Sequence, residues 1–409
     1  MMATPTVPQH LKHCNFTTIK PRHGVITLFG YGINVQVDRG HLVIRDGIGI
    51  DRRHARLPRI GHGLQRLVVI GSDGMVSLAA LRWLADQDAA FVMLDRDGSV
   101  LLTTGPVRPS DARLRRAQGL AHKTGIALKI ARELIIQKLH GQEQVIRKFF
   151  KECPLSDVIA DARSSVARAK TNEEIRRWES KAALAYWSAM RELPANFSKA
   201  DSSKIPEHWK KFGSRMSSLT NSPRLAVNPA NAILNYLYAI LESESRLALA
   251  TLGLDPGIGV LHNDLRSRDS LAADVMEPVR PKVDALLLSL LTSEWLRREW
   301  FFEQRNGNCR LMASFASTLS ETALMWRKAV ASHAEWIAKS FWDSRPKPIR
   351  NEGPATRLTQ RQRREGRARL LGVDETTSPR LALCRICRQV RVTCDGIANA
   401  NRRNTAAQN

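Results

Sequence analysis

The sequence predicts an α+β protein, with a small N-terminal mostly-β domain, a larger all-α domain and a basic C-terminal tail. Three observations predict this. From about Gly24 to Gly105 the apolar residues are largely β-branched and fall in short runs broken by Gly and Asp. From Pro106 to Trp342 the spacing changes to three and four residues, in long segments. Beyond Trp342 large apolar residues become rare and arginines frequent, as in Arg361, Arg363, Arg364, Arg367 and Arg369. The expected division is a leader over 1–23, the β domain over 24–105, the helical domain over 106–342 and the tail over 343–409.

In the first domain, segments 25–29, 34–38, 41–45 and 67–71 read as strands, with a turn at Asp38, Arg39 and Gly40. Segment 76–86 has helical spacing, with Ser72 and Asp73 upstream as candidate caps. Segments 91–95 and 99–103 form a hairpin through Arg96, Asp97 and Gly98. Nothing here resembles a catalytic set, so this domain is expected to serve as scaffold or dimer contact. In the second domain, segment 111–151 predicts one or two long helices, with Ile126, Leu128, Ile130, Ala131, Leu134, Ile135 and Leu139 at helical intervals. Arg113, Arg115, Arg116, Lys123, Lys129, Arg132, Lys138 and Arg147 fill many remaining positions, as a solvated face or a DNA-facing stripe. Helices follow over 157–168 and 172–190. Segment 201–222 is polar and reads as flexible or ordered by nucleic acid. Pro229 then opens a helix that Asn228 is placed to cap, and 283–300 and 309–342 read as helical.

Charge narrows the partner. Sixty-three Lys and Arg against 39 Asp and Glu leave a formal net charge of +24, a field that favours polyanions, DNA or RNA first among them. No apolar run approaches the ~18 residues of a membrane-spanning helix, and the N-terminus lacks the charged-then-apolar pattern of a signal peptide. Six cysteines are too sparse for a disulfide framework, and Cys14, Cys153 and Cys309 stand singly, which suits a reducing cytoplasm.

One stretch, 257–280, concentrates ionisable chemistry: His262, Asp264, Asp269, Asp274 and Glu277. Asp264 and Asp269 read as loop residues, while Asp274 and Glu277, three apart, share one face of a helix. Hard divalent ions take oxygen ligands, and an added imidazole shifts preference toward ions such as Mn²⁺. The rival reading is a solvated acidic face with a structural histidine. Glu179 lies among Trp178, Ala182, Ala183, Tyr186 and Trp187, in a stretch expected to be largely buried. A carboxylate there needs a partner, which Lys181, an arginine or a metal can supply. Asn231, Asn235 and Tyr238 share a helix face, as a buried hydrogen-bond network or a support for a site. Cys384, Cys387 and Cys394 have zinc-knuckle spacing for the first pair, but no fourth Cys or His follows.

Taken together, these segments resemble the CRISPR-associated endonuclease and integrase of spacer acquisition, the first Cas protein family, from about Gly24 to Trp342. Three motifs carry the resemblance. They are Glu179 followed by small residues and the Tyr186–Trp187 pair, the helix from Asn231 to Tyr238, and the string from Gly253 to His262 with its continuation from Ser270 to Pro281. The resemblance implies a β domain followed by a helical catalytic domain. It implies metal ligation of Mg²⁺ or Mn²⁺ by Glu179, His262 and Glu277, with Asp274 as a further acidic residue of the catalytic set. It also implies a metal-dependent DNA endonuclease and integrase acting on spacer precursor and CRISPR repeat, a homodimer, and a complex with the small second CRISPR-associated protein. Two departures stand out: the family's glycines near the first Glu are replaced by Arg177, Trp178 and Ser180, and the arginine-rich tail is not a usual family element. The alternative, from a different class, is a non-catalytic basic DNA-binding or assembly protein.

Overall fold

The computed structural model describes residues 17–48, 52–71, 73–95, 99–105, 111–150, 153–198, 201–215, 225–262, 264, 268–293 and 296–344. The arginine-rich tail beyond 344, with Cys384, Cys387 and Cys394, lies outside the described residues.

The first strands among the described residues are β1 (Thr17–Thr18), β2 (Val25–Phe29), β3 (Ile33–Asp38), β4 (His41–Asp46), β5 (Arg53–Leu57), β6 (Arg66–Ile70), β7 (Gly74–Val76), β8 (Ala90–Leu94) and β9 (Val100–Thr104). They form two sheets, one ordered β1-β5-β4-β3-β7 and the other β2-β6-β8-β9. Side chains alternate across a strand, and the second sheet uses both faces. Ile26, Leu28, Leu67, Val69 and Phe91 join a core with the first sheet and helix α1 (Leu78–Asp86). Val25, Val68, Ala90, Val92 and Leu94 join the core of the helical region. This sheet is therefore the layer through which strands and helices pack.

The local reading misses β5 because Arg53, His54 and Arg56 interrupt its apolar pattern and leave only Ala55 and Leu57 buried. The cap of α1 is Ser77, whose side chain accepts from the Ala80 amide, rather than Ser72 or Asp73.

The helical region comprises α2 (Ala112–Gly119), α3 (Ile126–Phe149), α4 (Leu155–Arg168), α5 (Asn172–Met190), α6 (Pro229–Leu252), α7 (Ser270–Met276), α8 (Arg280–Ser293), α9 (Ala313–Ser320) and α10 (Ala323–Asp343). Helix α6 runs through its centre, against α7, α8 and α10 and against β9. It starts as expected, with Asn228 accepting from the Asn231 amide and Pro229 in the first turn. It ends at Gly253, where φ of 81° gives the left-handed cap that glycine adopts without strain. Arg66 on β6 and Glu244 on α6 form a buried two-pronged ion pair, at 2.6 and 2.7 Å, across the layer boundary.

Two departures from an all-α second region have clear causes. Strands β10 (Phe301–Glu303), in the gap between two expected helices, and β11 (Cys309–Leu311), where helix was expected, pair antiparallel, because Phe301 turns inward against Phe197, Trp209 and Phe315. Within 201–222, the described part up to Arg215 is packed rather than loose, since Trp209 and Phe212 are fully buried.

Candidate active site

The site is built on a loop whose backbone is tied down from several directions. Gln118 on α2 donates to the carbonyls of Asp255 (2.7 Å) and Ile258 (3.0 Å) and accepts from the Asp255 amide (3.0 Å). From α5, Asn172 donates to the Val260 carbonyl (2.7 Å) and Arg176 to that of Leu261 (3.2 Å). Gly259 is required by close approach: a Cβ there would lie 2.7 Å from Ser270 Cβ and 2.8 Å from the His262 carbonyl oxygen.

The fully buried Asp274 completes the loop. Its Oδ2 accepts from the amides of Val260 (2.7 Å) and Leu261 (3.0 Å), and its Oδ1 from the His262 amide (3.1 Å). Oδ1 also lies 2.5 Å from Nδ1 of the His262 ring. An ionised carboxylate only accepts, so Nδ1 carries the proton and, in the neutral ring, Nε2 keeps its lone pair. The Asp274 charge is thus satisfied by four N–H donors and needs no cation.

Glu179, on α5, and Glu277, at the end of α7, meet on Lys138 of α3. The Lys138 ammonium stands 2.5 Å from Glu179 Oε1 and 2.6 Å from Glu277 Oε2. One turn further along α3, Gly141 lets this helix close on α8, since a Cβ there would fall 2.9 Å from the Pro281 ring. Arg280 lies 3.1 Å from the other Glu277 oxygen. Burial opposes the charge of Glu277, but Arg280, Lys138 and His262 outweigh it and hold the carboxyl well below its usual range. Burial likewise opposes the charge of Lys138, and Glu277 and Glu179 overcome it, so the ammonium persists. Glu277 Oε2 nevertheless receives no aligned hydrogen bond, so its contact with Lys138 is an ion pair without directed geometry.

Beside this pair lies a buried network. Asp284 on α8 accepts from the Tyr186 hydroxyl (2.8 Å) and the Tyr238 hydroxyl (2.6 Å). Burial pushes its carboxyl up to about 6, against the opposing pull of the two hydroxyls and of Arg280 and Arg215. The Arg280 and Arg215 guanidinium groups lie over the Tyr238 ring, at 4.6 and 5.8 Å. Arg215 also donates to Asn235 (2.7 Å) and Asn231 (3.3 Å). The shared polar face of Asn231, Asn235 and Tyr238 is therefore a hydrogen-bond network that reaches the Glu277 neighbourhood through Arg280.

The sequence-derived residues thus fall into two units: His262 with Asp274, and Glu179 with Glu277. Among the described residues, no three His, Cys, Asp or Glu side chains close on one point as a metal-ligand cluster. In this structure an ammonium takes the place between the two glutamates. The donor set itself fits a hard divalent ion, with two carboxylates, an imidazole whose Nε2 is left as acceptor, and a buried Glu277 oxygen lacking an aligned donor. The partner of Glu179 is neither Lys181, which lies over the Trp178 ring at 5.3 Å, nor an arginine. Lys138 belonged to the expected basic stripe, yet it is buried, while Arg113, Arg115, Arg116, Lys123, Lys129 and Arg147 are exposed. Gln118, Asn172, Lys138, Arg215 and Asp284 were not recognised as parts of the site.

The sequence model for CRISPR associated protein Cas1 matches residues 26–322. The chain belongs to that family. It is 28% identical over 324 residues to CRISPR-associated endonuclease Cas1 2 of Pyrobaculum aerophilum, covering 78% of this chain and 99% of the relative. It is 30% identical over 314 residues to the like-named protein of Rhodospirillum rubrum, covering 73% and 84%. Among solved structures, a CAS1 protein from Thermotoga maritima superposes with a TM-score of 0.61 at 19% identity, over 80% of this chain and all of that one. A casposase bound to integration product gives 0.58 at 24% identity, over 87% and 92%. Both likenesses bear on the fold, and they support the strand-rich region followed by helices. No helix among the described residues is long and apolar enough to cross a membrane.

Proposed function

We propose that the chain is a metal-dependent DNA endonuclease and integrase that inserts new spacers into a CRISPR array by phosphodiester strand transfer. One observation carries the reading: Glu179 and Glu277 converge on a single cation within 2.6 Å, while the adjacent His262 is locked with Nε2 as its acceptor. Glu179, His262 and Glu277 would hold Mg²⁺ or Mn²⁺, which supplies Lewis-acid neutralisation of charge at a scissile phosphate. Asp274 is the positioning residue, fixing the tautomer and direction of His262. Arg280, paired with Glu277, adds positive charge where a phosphate would bind. Water as the attacking group gives cleavage, and a DNA 3′-hydroxyl gives strand transfer.

The names of the relatives support this reading, since they are called CRISPR-associated endonucleases, as does the net charge of +24 for DNA as partner. A homodimer and a complex with the small second CRISPR-associated protein belong to the same proposal, in the cytoplasm. The test is His262→Ala in a Mn²⁺-dependent cleavage and strand-transfer assay. Loss of both activities with DNA binding retained is expected. Full activity refutes the assignment, and DNA binding indifferent to chelator with no cleavage by the unmodified protein favours the non-catalytic alternative.

A further inference from the structure

The place that a divalent ion would take between Glu179 and Glu277 is held by a side chain of the protein. Lys138 reaches it from α3, is 8% exposed, and touches one oxygen of each glutamate. Two carboxylates brought this close repel one another unless a cation lies between them. A lysine suits a removable cation better than an arginine would. It is a compact point charge on a flexible stem, without the fork that locks a guanidinium onto a carboxylate.

The contacts are also uneven. Lys138 makes a hydrogen bond to Glu179, but to Glu277 Oε2 it offers charge without alignment. The second Glu277 oxygen faces Arg280 instead, so Glu277 can exchange its partner at Oε2 and remain paired at Oε1.

We propose that Lys138 is a positioning residue and an internal placeholder for the divalent ion. Its ammonium keeps the two glutamates together, and the ion displaces it on binding. This inference rests on the reading of Glu179, His262 and Glu277 as metal ligands.

Displacement exposes an amine that was buried, and that can be read on the unmodified sequence by acetic anhydride labelling and mass spectrometry. Without Mn²⁺, Lys138 is expected to label far more slowly than the exposed Lys123 and Lys181. Saturating Mn²⁺ raises Lys138 labelling several-fold and leaves those two unchanged. Calorimetric titration with Mn²⁺ gives the complementary result. Lys138→Met has no ammonium to eject, so it binds Mn²⁺ about tenfold more tightly, the worth of one hydrogen bond to a charged group. Its melting temperature without metal is lower than that of the unmodified protein, and Mn²⁺ restores it. Lys138→Arg leaves the carboxylates bridged and binds Mn²⁺ no more tightly than the unmodified protein.

If Lys138 stays protected while Mn²⁺ binds, or Lys138→Met binds Mn²⁺ equally or more weakly, displacement is wrong and the metal reading stands. If neither the unmodified protein nor Lys138→Met binds Mn²⁺, the metal reading has failed and takes the placeholder with it. The labelling experiment decides the question even where Lys138→Met does not fold.

Discussion

Asp274→Asn isolates the carboxylate that holds the histidine loop. In the native protein its two oxygens accept four hydrogen bonds, two each, from three backbone amides and the His262 ring. An asparagine of the same shape keeps one oxygen and presents an NH₂ in place of the other. With the NH₂ toward Val260 and Leu261, two N–H donors face a donor; with it toward His262, one backbone N–H does, and the ring must move its proton from Nδ1 to Nε2 to accept. Bonds to a charged acceptor contribute about 1.5–3 kcal/mol each, so losing one or two costs about 1.5–6 kcal/mol. Removing a buried charge offsets part of this, leaving a net destabilisation of about 1–4 kcal/mol. Denaturant unfolding followed by tryptophan fluorescence measures it. Mn²⁺ affinity, measured under conditions where the variant is folded, is expected to fall about 10- to 100-fold, the usual effect of removing the group that orients a ligating histidine. A loss below about 1 kcal/mol with unchanged Mn²⁺ affinity would refute the reasoning, since it would mean that neither the loop nor the ring depends on this carboxylate.

Two further outcomes follow from the buried charges. Glu244→Ala strands Arg66 between sheet and helix, both partners being almost fully buried, and is expected to destabilise the protein by about 3–5 kcal/mol in chemical denaturation. A loss no larger than that of an exposed substitution would show that the pair does not join the two layers. Asp284 gives a pH dependence of known sign. Its carboxyl is raised from 3.8 to about 6 in the folded state, so it contributes stability below pH 4 that is lost as pH rises through 6. The stability of the native protein relative to Asp284→Asn should therefore fall by about 1.4 kcal/mol between pH 5 and 7.5, and a gap independent of pH in paired denaturation curves would contradict it.

The parts of the fold that the sequence made legible are those whose signal is local. Helices α3 to α6 announce themselves through three- and four-residue apolar spacing, and α6 also through Asn228 and Pro229. The unread elements are those in which local pattern and tertiary demand disagree. Strand β5 carries arginines and a histidine because only alternate residues are buried, and the β10–β11 hairpin exists because Phe301 finds an aromatic cluster distant in sequence. At the site, Glu179, His262, Asp274 and Glu277 were legible as residue types, whereas their partners were not. Lys138 lies 41 residues from Glu179, beyond any local window. A signal was nonetheless present: Lys138 follows Leu134 and Ile135 by four and three residues, which puts it on the buried stripe of α3, where a lysine requires a counter-charge. Gln118 stands in the same relation to Leu114 on α2.

The two halves of the site are held by different physics, and the difference has a consequence for how a metal can enter. His262 is fixed by directed hydrogen bonds. Its loop is bonded from α2, α5 and α7, Gly259 allows no added Cβ, and Asp274 is fully satisfied by N–H groups. Nothing there must change when an ion arrives, so Nε2 can act as a preset reference point. Glu179 and Glu277 are held together by an ammonium that touches both and aligns with only one. Two carboxylates this close repel one another unless a cation lies between them, and against the burial that opposes it Arg280, Lys138 and His262 keep the Glu277 carboxyl ionised. A lysine resolves the conflict: it preserves two ionised carboxylates facing one another, the state a divalent ion requires, and it can leave without breaking the Arg280 contact that anchors Glu277. On the proposed reading of Glu179, His262 and Glu277 as ligands, the rigid histidine and the exchangeable cation are complementary ways to preorganise imidazole and carboxylate donors.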